Sequence, residues 1–301
     1  MQVNKKYVHK GMLIGVISLH LGALLAPFTF NWSAFWLFVV LTWMTNGLGI
    51  CLCYHRLLTH RSFKCPKLFE YFLSFCGALS SQGGAISWVA THRYHHITSD
   101  GDQDPHTPKH GFWWAHMIWF LYKSPLLESS EFYKRWAPEL VRDRMHRIFA
   151  QYGWCGQWFL GIFLLWWGGL PFVIWGIFLR TVVALHITWL VNSATHKWGY
   201  KTYDAKDDSR NLWWVGLLAF GEGWHNNHHA FQYSAAHGLR WWEFDITYLT
   251  IRIFSFLKLA NSIRLPNLAL AKATSNPRAN IQTKAIAVPT EVSREMTSSI
   301  V

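Results

Sequence analysis

The sequence predicts an all-α integral membrane protein with four membrane-spanning helices, arranged as two hairpins, and a helical cap on one side. The prediction depends on a low charge content, long uncharged apolar runs and an uneven distribution of Lys and Arg. Charged residues make up 15% of the 301 residues, against about 25% in soluble domains, whereas hydrophobic residues make up 51%. Such a composition excludes a disordered chain and argues against an ordinary soluble enzyme.

The first predicted hairpin comprises spans at residues 11–30 and 33–54. Both runs lack charged residues, and only Asn31 and Trp32 separate them. Each run has the roughly 20 residues that a helix needs to cross a hydrocarbon core about 30 Å thick. The two runs therefore predict two spans joined by a tight turn.

The second predicted hairpin comprises spans at residues 153–168 and 172–195. Residues 157–195 contain one charge, Arg180. One straight helix of that length would extend about 58 Å, nearly twice the bilayer core. The sequence Gly-Gly-Leu-Pro at 168–171 therefore predicts a turn. The sequence leaves open whether Arg180 faces the bundle interior or reaches the interface.

The basic residues indicate on which side the connecting segments lie. Of the 28 Lys and Arg residues, all except Arg180 lie outside the four spans and none lies in the two hairpin turns. The positive-inside rule makes the basic side cytoplasmic. We therefore expect a cytoplasmic cap formed by residues 55–152 and 196–265. Residues 266–301, rich in Ser, Thr, Asn and small residues, predict a disordered tail.

Two further apolar stretches contain polar residues and predict helices that lie at the membrane interface. Residues 68–90 include Glu70, Gln82 and a Gly-Gly pair, which indicate a helix pair. Residues 241–259 interleave charges with aromatic side chains, as in an interfacial helix. Residues 123–147, of mixed charge, predict helix within the cap.

Histidine is the second unusual feature, with 17 residues in the chain and eight of them in three clusters. The clusters are His55 and His60; His92, His95 and His96; and His225, His228 and His229. Positions i, i+3 and i+4 share a helix face, so each triplet is expected to present its imidazoles toward a common point. The first pair lies about 140° apart on a straight α-helix and requires a helix end or bend. Eight imidazoles exceed the four ligands of one zinc ion, so the clusters predict two metal ions.

These clusters resemble those of the integral-membrane fatty-acid desaturases, specifically the stearoyl-type Δ9 class, and the resemblance covers roughly residues 10–260. It also depends on Asp104-Pro105-His106, on Asn192 to His196 and on Gly221 to Trp224. The resemblance implies a di-iron centre bound by nine histidines and contacted, through water, by one asparagine. The matching residues are His55, His60, His92, His95, His96, His196, His225, His228, His229 and Asn192.

The resemblance also implies the reaction, which is the O2-dependent introduction of a cis double bond at Δ9 of a saturated C16 or C18 acyl chain. No side chain abstracts hydrogen from an unactivated methylene, so such chemistry requires a cofactor. In the family the acyl chain lies in a bent tunnel beside the metal ions. The positions that match its lining are Gln82, Trp88 and Thr188.

Two positions before the second cluster favour a lipid-bound substrate. Acyl-CoA members of the class have an Arg-Asp pair there that contacts CoA, whereas this chain has Ala90 and Thr91. The sequence around the clusters is more similar to the cyanobacterial and plastid branch, which acts on chains esterified in glycerolipids. That branch implies a thylakoid or plasma membrane location.

The expected electron donor is an external protein, since no haem-binding domain is recognisable in the sequence. The net charge of +12 would attract an acidic ferredoxin, although topology and lipid headgroups also account for such a charge. No nucleic-acid partner is expected.

Several alternatives remain open at this stage. Basic residues elsewhere on the cap could bind CoA, which would make the chain an acyl-CoA Δ9 desaturase. A di-iron lipid or alkane hydroxylase would use similar clusters. A bis-histidine haem carrier or a metal transporter would need ligands within the spans, which contain only His20 and His186. The acidic repeat at Asp100, Asp102 and Asp104 begins like a calcium-binding EF-hand loop but lacks the required Gly and Glu.

Overall fold

The computed structural model describes residues 8–267, which form helices and turns without a β-strand. The prediction of an all-α protein is therefore confirmed. The compact unit extends to Leu265. The predicted disordered tail lies outside the described residues, apart from Pro266 and Asn267.

The first hairpin begins with helix α1, Lys10–Ala23, and a 3-10 turn at Ala26–Thr29. Helix α2 covers Trp32–Thr42. Asn31 begins it, because its side-chain oxygen accepts a hydrogen bond of 2.8 Å from the Ala34 N–H. Of the two residues that separate the apolar runs in the sequence, Asn31 is therefore the N-cap of helix α2 and Trp32 is its first residue.

Helix α2 continues without a break as a π-helix over Trp43–Thr59. Its wider turns close hydrogen bonds between residues five apart, and the His60 N–H donates to the His55 carbonyl over 3.2 Å. Residues i and i+5 therefore lie one above the other. This explains how the first histidine pair, which an α-helix would separate, shares one side.

Helices α3, Lys67–Ala78, and α4, Ala85–Thr98, form the helix pair predicted for residues 68–90. The second helix is longer than predicted and includes the second histidine cluster. Helix α3 packs against the π-helix at two glycines: a Cβ atom on Gly49 would lie 2.3 Å from the backbone nitrogen of Gly77. Only glycine permits so close an approach of two backbones.

The segments that the sequence predicts as the cap contain mostly short helices. They are α5 Phe112–His116, α6 Ser130–Trp136, α7 Pro138–Arg142, and, after the second hairpin, α10 Trp213–Leu218, α11 His225–Ala230 and α12 Ile246–Phe256, with 3-10 turns at Pro108–His110, Ile118–Leu121 and Ala194–His196. Residues 123–129 are not helical, because Pro125 interrupts the segment that the sequence predicted as helix. Helix α12 occupies the centre of the stretch 241–259.

The second hairpin comprises helix α8, Arg144–Val173, a π-helical segment at Ile174–Leu179 and helix α9, Arg180–Ser193. The chain reverses at Gly169, whose φ of 69° and ψ of −160° lie outside the helical region. This is the predicted turn. Two helical runs, Trp32–Thr59 and Arg144–His196, are long and apolar enough to cross a membrane.

Arg180 is fully buried and faces the helix bundle. Its guanidinium donates hydrogen bonds to the carbonyls of Gly176 and Leu79, to the Thr45 hydroxyl over 3.1 Å and to the Gln157 side chain over 2.8 Å. All four acceptors are neutral. The structure thus answers the question that the sequence left open: this charge faces the interior of the helix bundle, where it links both hairpins.

Large apolar side chains cover the outer faces of the apolar helices. Phe28 is 85% exposed and Trp166 is 80% exposed. Soluble monomers rarely expose contiguous apolar surface of this kind. These faces are suited to contact with lipid chains.

Candidate metal centre

The nine histidines identified in the sequence lie in two adjacent groups. The first, here the five-histidine group, contains His55, His60, His92, His96 and His228. The second, the four-histidine group, contains His95, His196, His225 and His229. Within each group, one ligand nitrogen from every residue lies within 4.8 Å of all the others. The fold therefore brings all nine side chains together.

Each triplet is divided between the two groups and does not converge on one point. In helix α4, His92 and His96 enter the five-histidine group, while His95 enters the other. In helix α11, His225 and His229 enter the four-histidine group, while His228 enters the first. The i,i+4 pair stays together in both helices, and the intervening residue faces the neighbouring group.

The Nε2 atoms of these imidazoles face one another at short range. His96 Nε2 lies 3.0 Å from Nε2 of both His92 and His228. His196 Nε2 lies 3.1 Å from His225 Nε2. A neutral imidazole has one N–H and one lone pair, so with the proton on Nδ1 such contacts bring the Nε2 lone pairs together around a shared centre.

Two buried ligand nitrogens, His60 Nε2 and His229 Nε2, have no hydrogen-bond partner among the described residues. Burial lowers the pKa of the His60, His92 and His96 imidazoles and of the His225 and His228 imidazoles, and it lowers the pKa of His229 to about 4. Neutral nitrogens that are unpaired and convergent are what a metal cation requires. The residues present fit two metal ions.

Carboxylates fix the orientation of four of the ligands. The Nδ1 atom of His55 lies 2.5 Å from the Glu222 carboxylate, and that of His95 lies 3.0 Å from Asp104. The Nδ1 atom of His196 lies 3.1 Å from Asp100, and that of His229 lies 2.5 Å from Asp207. Each carboxylate accepts the Nδ1–H and so leaves Nε2 free for a metal ion. Burial raises the pKa of Asp104 and Asp207, but the adjacent imidazoles outweigh burial and hold both pKa values well below the usual range.

These four acidic residues were not identified as functional from the sequence. Asp100 and Asp104 belong to the acidic repeat that was rejected as an EF-hand, and here they bond to histidines. His196 and Asp100 are separated by 96 positions in the chain. A usable signal was present. The chain has only 16 Asp and Glu residues, and Asp100 and Glu222 each lie within four positions of a histidine cluster.

Glu222 links a candidate ligand histidine to a buried arginine. It bonds to His55 and lies 3.3 Å from His237, while its other oxygen accepts from the buried Arg56 guanidinium over 3.0 Å. Arg56 also contacts Asp245 at 2.9 Å. Burial raises the pKa of Glu222, but the surrounding imidazoles and Arg56 lower it well below its usual range.

A cavity of about 280 Å³ lies beside the histidine groups. Its lining includes the three tunnel residues predicted from the resemblance, Gln82, Trp88 and Thr188, together with Asn192 and His92. Trp88 stacks on His92 with ring centroids 4.9 Å apart. The cavity therefore reaches the five-histidine group directly.

The predicted tunnel residues are held by a hydrogen-bonded triangle. Gln82 Nε2 donates to Asn46 Oδ1 and to Thr188 Oγ1, both over 3.0 Å, and Thr188 donates to Asn46 over 3.3 Å. Asn46 was not predicted from the sequence. It also lines a smaller pocket together with Asn192, His95 and other ligands.

The two positions that distinguish lipid-bound from CoA-bound substrates differ in placement. Thr91 lines the cavity, whereas Ala90 is fully buried in the core. Lys123 and His110 also line the cavity. The positions expected to contact CoA are therefore uncharged, but the cavity as a whole contains basic residues.

Comparison with known proteins gives the family. The fatty acid desaturase model matches residues 30–252. An sn-1 stearoyl-lipid 9-desaturase of Anabaena variabilis is 53% identical over 83% of this chain and 91% of its own length. An sn-1 stearoyl-lipid 9-desaturase of Synechocystis sp. is 49% identical, covering 83% and 78%, and an sn-2 palmitoyl-lipid 9-desaturase of Nostoc sp. is 47% identical, covering 81% and 86%.

The chain therefore belongs to the fatty acid desaturase family. This confirms the resemblance seen in the sequence and makes the chain a membrane-bound oxidoreductase of lipid metabolism. Membership of this family argues against the alternatives of a haem carrier and a metal transporter.

Proposed function

We propose that this protein is an O2-dependent di-iron desaturase that introduces a cis double bond at Δ9 of a saturated C16 or C18 acyl chain esterified in a membrane glycerolipid. The observation that carries the proposal is the pair of convergent histidine groups beside a cavity of about 280 Å³. The names of the similar proteins, which are lipid 9-desaturases, support the position of the double bond and the carrier.

Each histidine group would hold one iron ion. The five-histidine group offers five imidazoles; the four-histidine group offers four, with Asn192 lining the adjacent pocket as a further contact through water. When bound, the irons activate O2 sufficiently to remove hydrogen from an unactivated methylene. The carboxylates on Nδ1 would fix the tautomer and the orientation of the ligands.

The cavity residues would position the acyl chain. Trp88, stacked on His92, forms an apolar wall next to the ligands, and the Gln82–Thr188 hydrogen bond restricts the path of the chain. A path fixed by the protein places one pair of methylenes beside the centre, and this defines the position of the double bond. The ring of Trp88 also shields this part of the site from water.

The membrane arrangement that accompanies this function has four spans, with both histidine groups on the cytoplasmic side. The reversal at Gly169 and the location of the basic residues support it. An even number of crossings separates all three histidine clusters, as a shared centre requires. An acidic ferredoxin would supply electrons from the same side.

The carrier is tested with purified protein in lipid nanodiscs and a ferredoxin reducing system. Stearoyl-glycolipid and stearoyl-CoA are offered separately, and the products are analysed for the location of the double bond. We expect conversion of the glycolipid at Δ9. Rapid conversion of stearoyl-CoA with the glycolipid unchanged would establish the acyl-CoA alternative, in which Lys123 and His110 contact the CoA phosphates.

A further inference from the structure

We infer that an acidic one-electron carrier protein docks over an open cleft beside the five-histidine group. The cleft, about 480 Å³ in volume, is lined by Thr59, His60, Arg93, His96, Ile97, Trp136, Gln232 and Tyr233. Two of these residues, His60 and His96, are candidate metal ligands. This inference depends on the proposed function and adds the location of the partner.

The cleft brings the metal centre close to solvent. His60 and His96 are half-buried, whereas His95, His196, His225 and His229 of the four-histidine group are all buried. Electron transfer slows steeply with distance, so a donor gains most by docking where ligands approach the surface. The cleft is such a place.

Several arginines lie next to the cleft and contact the residues that line it. Arg135 lies over the Trp136 ring at 5.5 Å and Arg264 over the Tyr233 ring at 5.0 Å, and both are exposed. Arg93 is part of the lining, and Arg61, 65% exposed, shares the Glu139 carboxylate with it. These four guanidinium groups outnumber the one carboxylate that pairs with two of them, and the excess of positive charge gives the cleft a positive potential.

The loop that reaches the four-histidine group through Asp207 has no such excess of positive charge. The loop at residues 200–210 contains three basic residues, Lys201, Lys206 and Arg210, and three acidic ones, Asp204, Asp207 and Asp208. Its charges balance, whereas those at the cleft do not. The charge distribution therefore favours the cleft as the docking surface for an acidic partner.

The lining is also suited to a protein contact. Ile97 is 71% exposed, and Trp136, Tyr233 and the arginines are of the residue types enriched in protein interfaces. An apolar centre with a basic rim fits a small acidic protein that presents its redox group at an apolar tip. A lipid headgroup would use the charge alone.

The reaction requires this partner to bind and leave repeatedly. Reduction of O2 to two waters takes four electrons and four protons. The acyl chain supplies two of each as two C–H bonds break and the C=C bond forms, while the carrier supplies two electrons and solvent two protons. A one-electron carrier therefore docks twice per turnover, which favours rapid association steered by charge.

The test uses the full chain in nanodiscs with a plant-type [2Fe–2S] ferredoxin as donor. Arg135→Glu and Arg264→Glu are made singly and together, since both arginines are exposed and neither contacts a ligand. Lys206→Glu on the balanced loop is the matched control. The rate is also measured with dithionite-reduced methyl viologen, which needs no docking protein.

We expect the double variant to raise KM for ferredoxin about tenfold, while kcat at saturation, the rate with methyl viologen and the iron content stay within about twofold of wild type. The KM of wild type should also rise more steeply with salt than that of the double variant. Lys206→Glu should leave KM within about twofold. The neutral pair Arg135→Gln and Arg264→Gln provides the same test if the reversed charges prevent folding.

An unchanged KM in the double variant, or an equal rise with Lys206→Glu, would overturn this docking site. Loss of binding to anionic vesicles with an unchanged KM for ferredoxin would also overturn it and assign the arginines to lipid. If wild-type protein forms no alkene with either donor, the proposed function itself fails, which is a different result.

Discussion

At the scale of single residues, the candidate metal centre depends on carboxylates as well as on histidines. Asp207 illustrates this, since it contacts His229 Nδ1 at 2.5 Å and leaves Nε2 unpaired among the described residues. The histidine clusters were predictable because their spacing is local. The carboxylates were harder to predict: Asp104 is only nine positions from His95, but Asp100 reaches His196, 96 positions away, only through the tertiary fold.

Asp207→Asn should weaken the four-histidine group without unfolding the protein. The amide cannot keep His229 in the required tautomer as a carboxylate does, and we expect metal affinity to fall about 10-fold to 100-fold. The measurement is the iron retained per chain during titration with a chelator. Asp208→Asn, an exposed neighbour, is the control, and equal retention in both variants would contradict the role of Asp207.

His60→Ala should abolish desaturation and remove one of the two metal ions. The Nε2 atom of His60 is buried and has no hydrogen-bond partner among the described residues. The substitution therefore removes a candidate ligand without breaking a hydrogen bond to that atom. His9→Ala is the matched histidine control; it removes the cap of helix α1 and should cost about 1 kcal/mol of stability with full metal content. Wild-type turnover in His60→Ala would show that the ligand assignment is wrong.

At the scale of secondary structure elements, the π-helix at Trp43–Thr59 is the feature that the sequence did not predict. The spacing of His55 and His60 indicated that a straight α-helix was unsuitable, but the sequence did not identify which irregularity replaces it. The hairpin turn, in contrast, was predictable, because Gly169 adopts a φ of 69° that glycine tolerates readily. Local backbone chemistry is visible in a sequence, whereas a change of helix type depends on packing.

Gly49→Ala should disturb the contact between the π-helix and helix α3. The added Cβ would lie 2.3 Å from the backbone nitrogen of Gly77, so one of the two helices must move, at a cost of about 1–3 kcal/mol. Gly15→Ala in helix α1 is the control, because its Cβ would meet no atom within 4 Å. Thermal unfolding in detergent should show a lower midpoint for Gly49→Ala alone, and equal midpoints would contradict this packing.

At the scale of the whole molecule, the metal centre joins segments that are distant in the chain. Its candidate ligands come from the end of the π-helix, from α4, from the 3-10 turn that follows α9 and from α11. Bound ions would therefore stabilise the fold as well as serve catalysis. Their removal should affect both.

Removal of both metal ions by a chelator should lower the unfolding midpoint by about 15–30 °C. Binding of each ion at 1,000 times its Kd is worth about 4 kcal/mol, and each kcal/mol shifts the midpoint of a chain of this size by about 2–4 °C. Addition of Fe²⁺ should restore both the midpoint and activity. A midpoint that does not change on removal would show that the groups do not hold the ions.

A di-iron desaturase is tested most sharply by measuring the metal content and the product in one sample of active, purified protein. We expect about two iron ions per chain, as two imidazole-rich groups require, and acyl lipids that have lost two hydrogens with the new double bond at Δ9. One zinc ion per chain without iron, or a product that has gained one oxygen, would contradict the account.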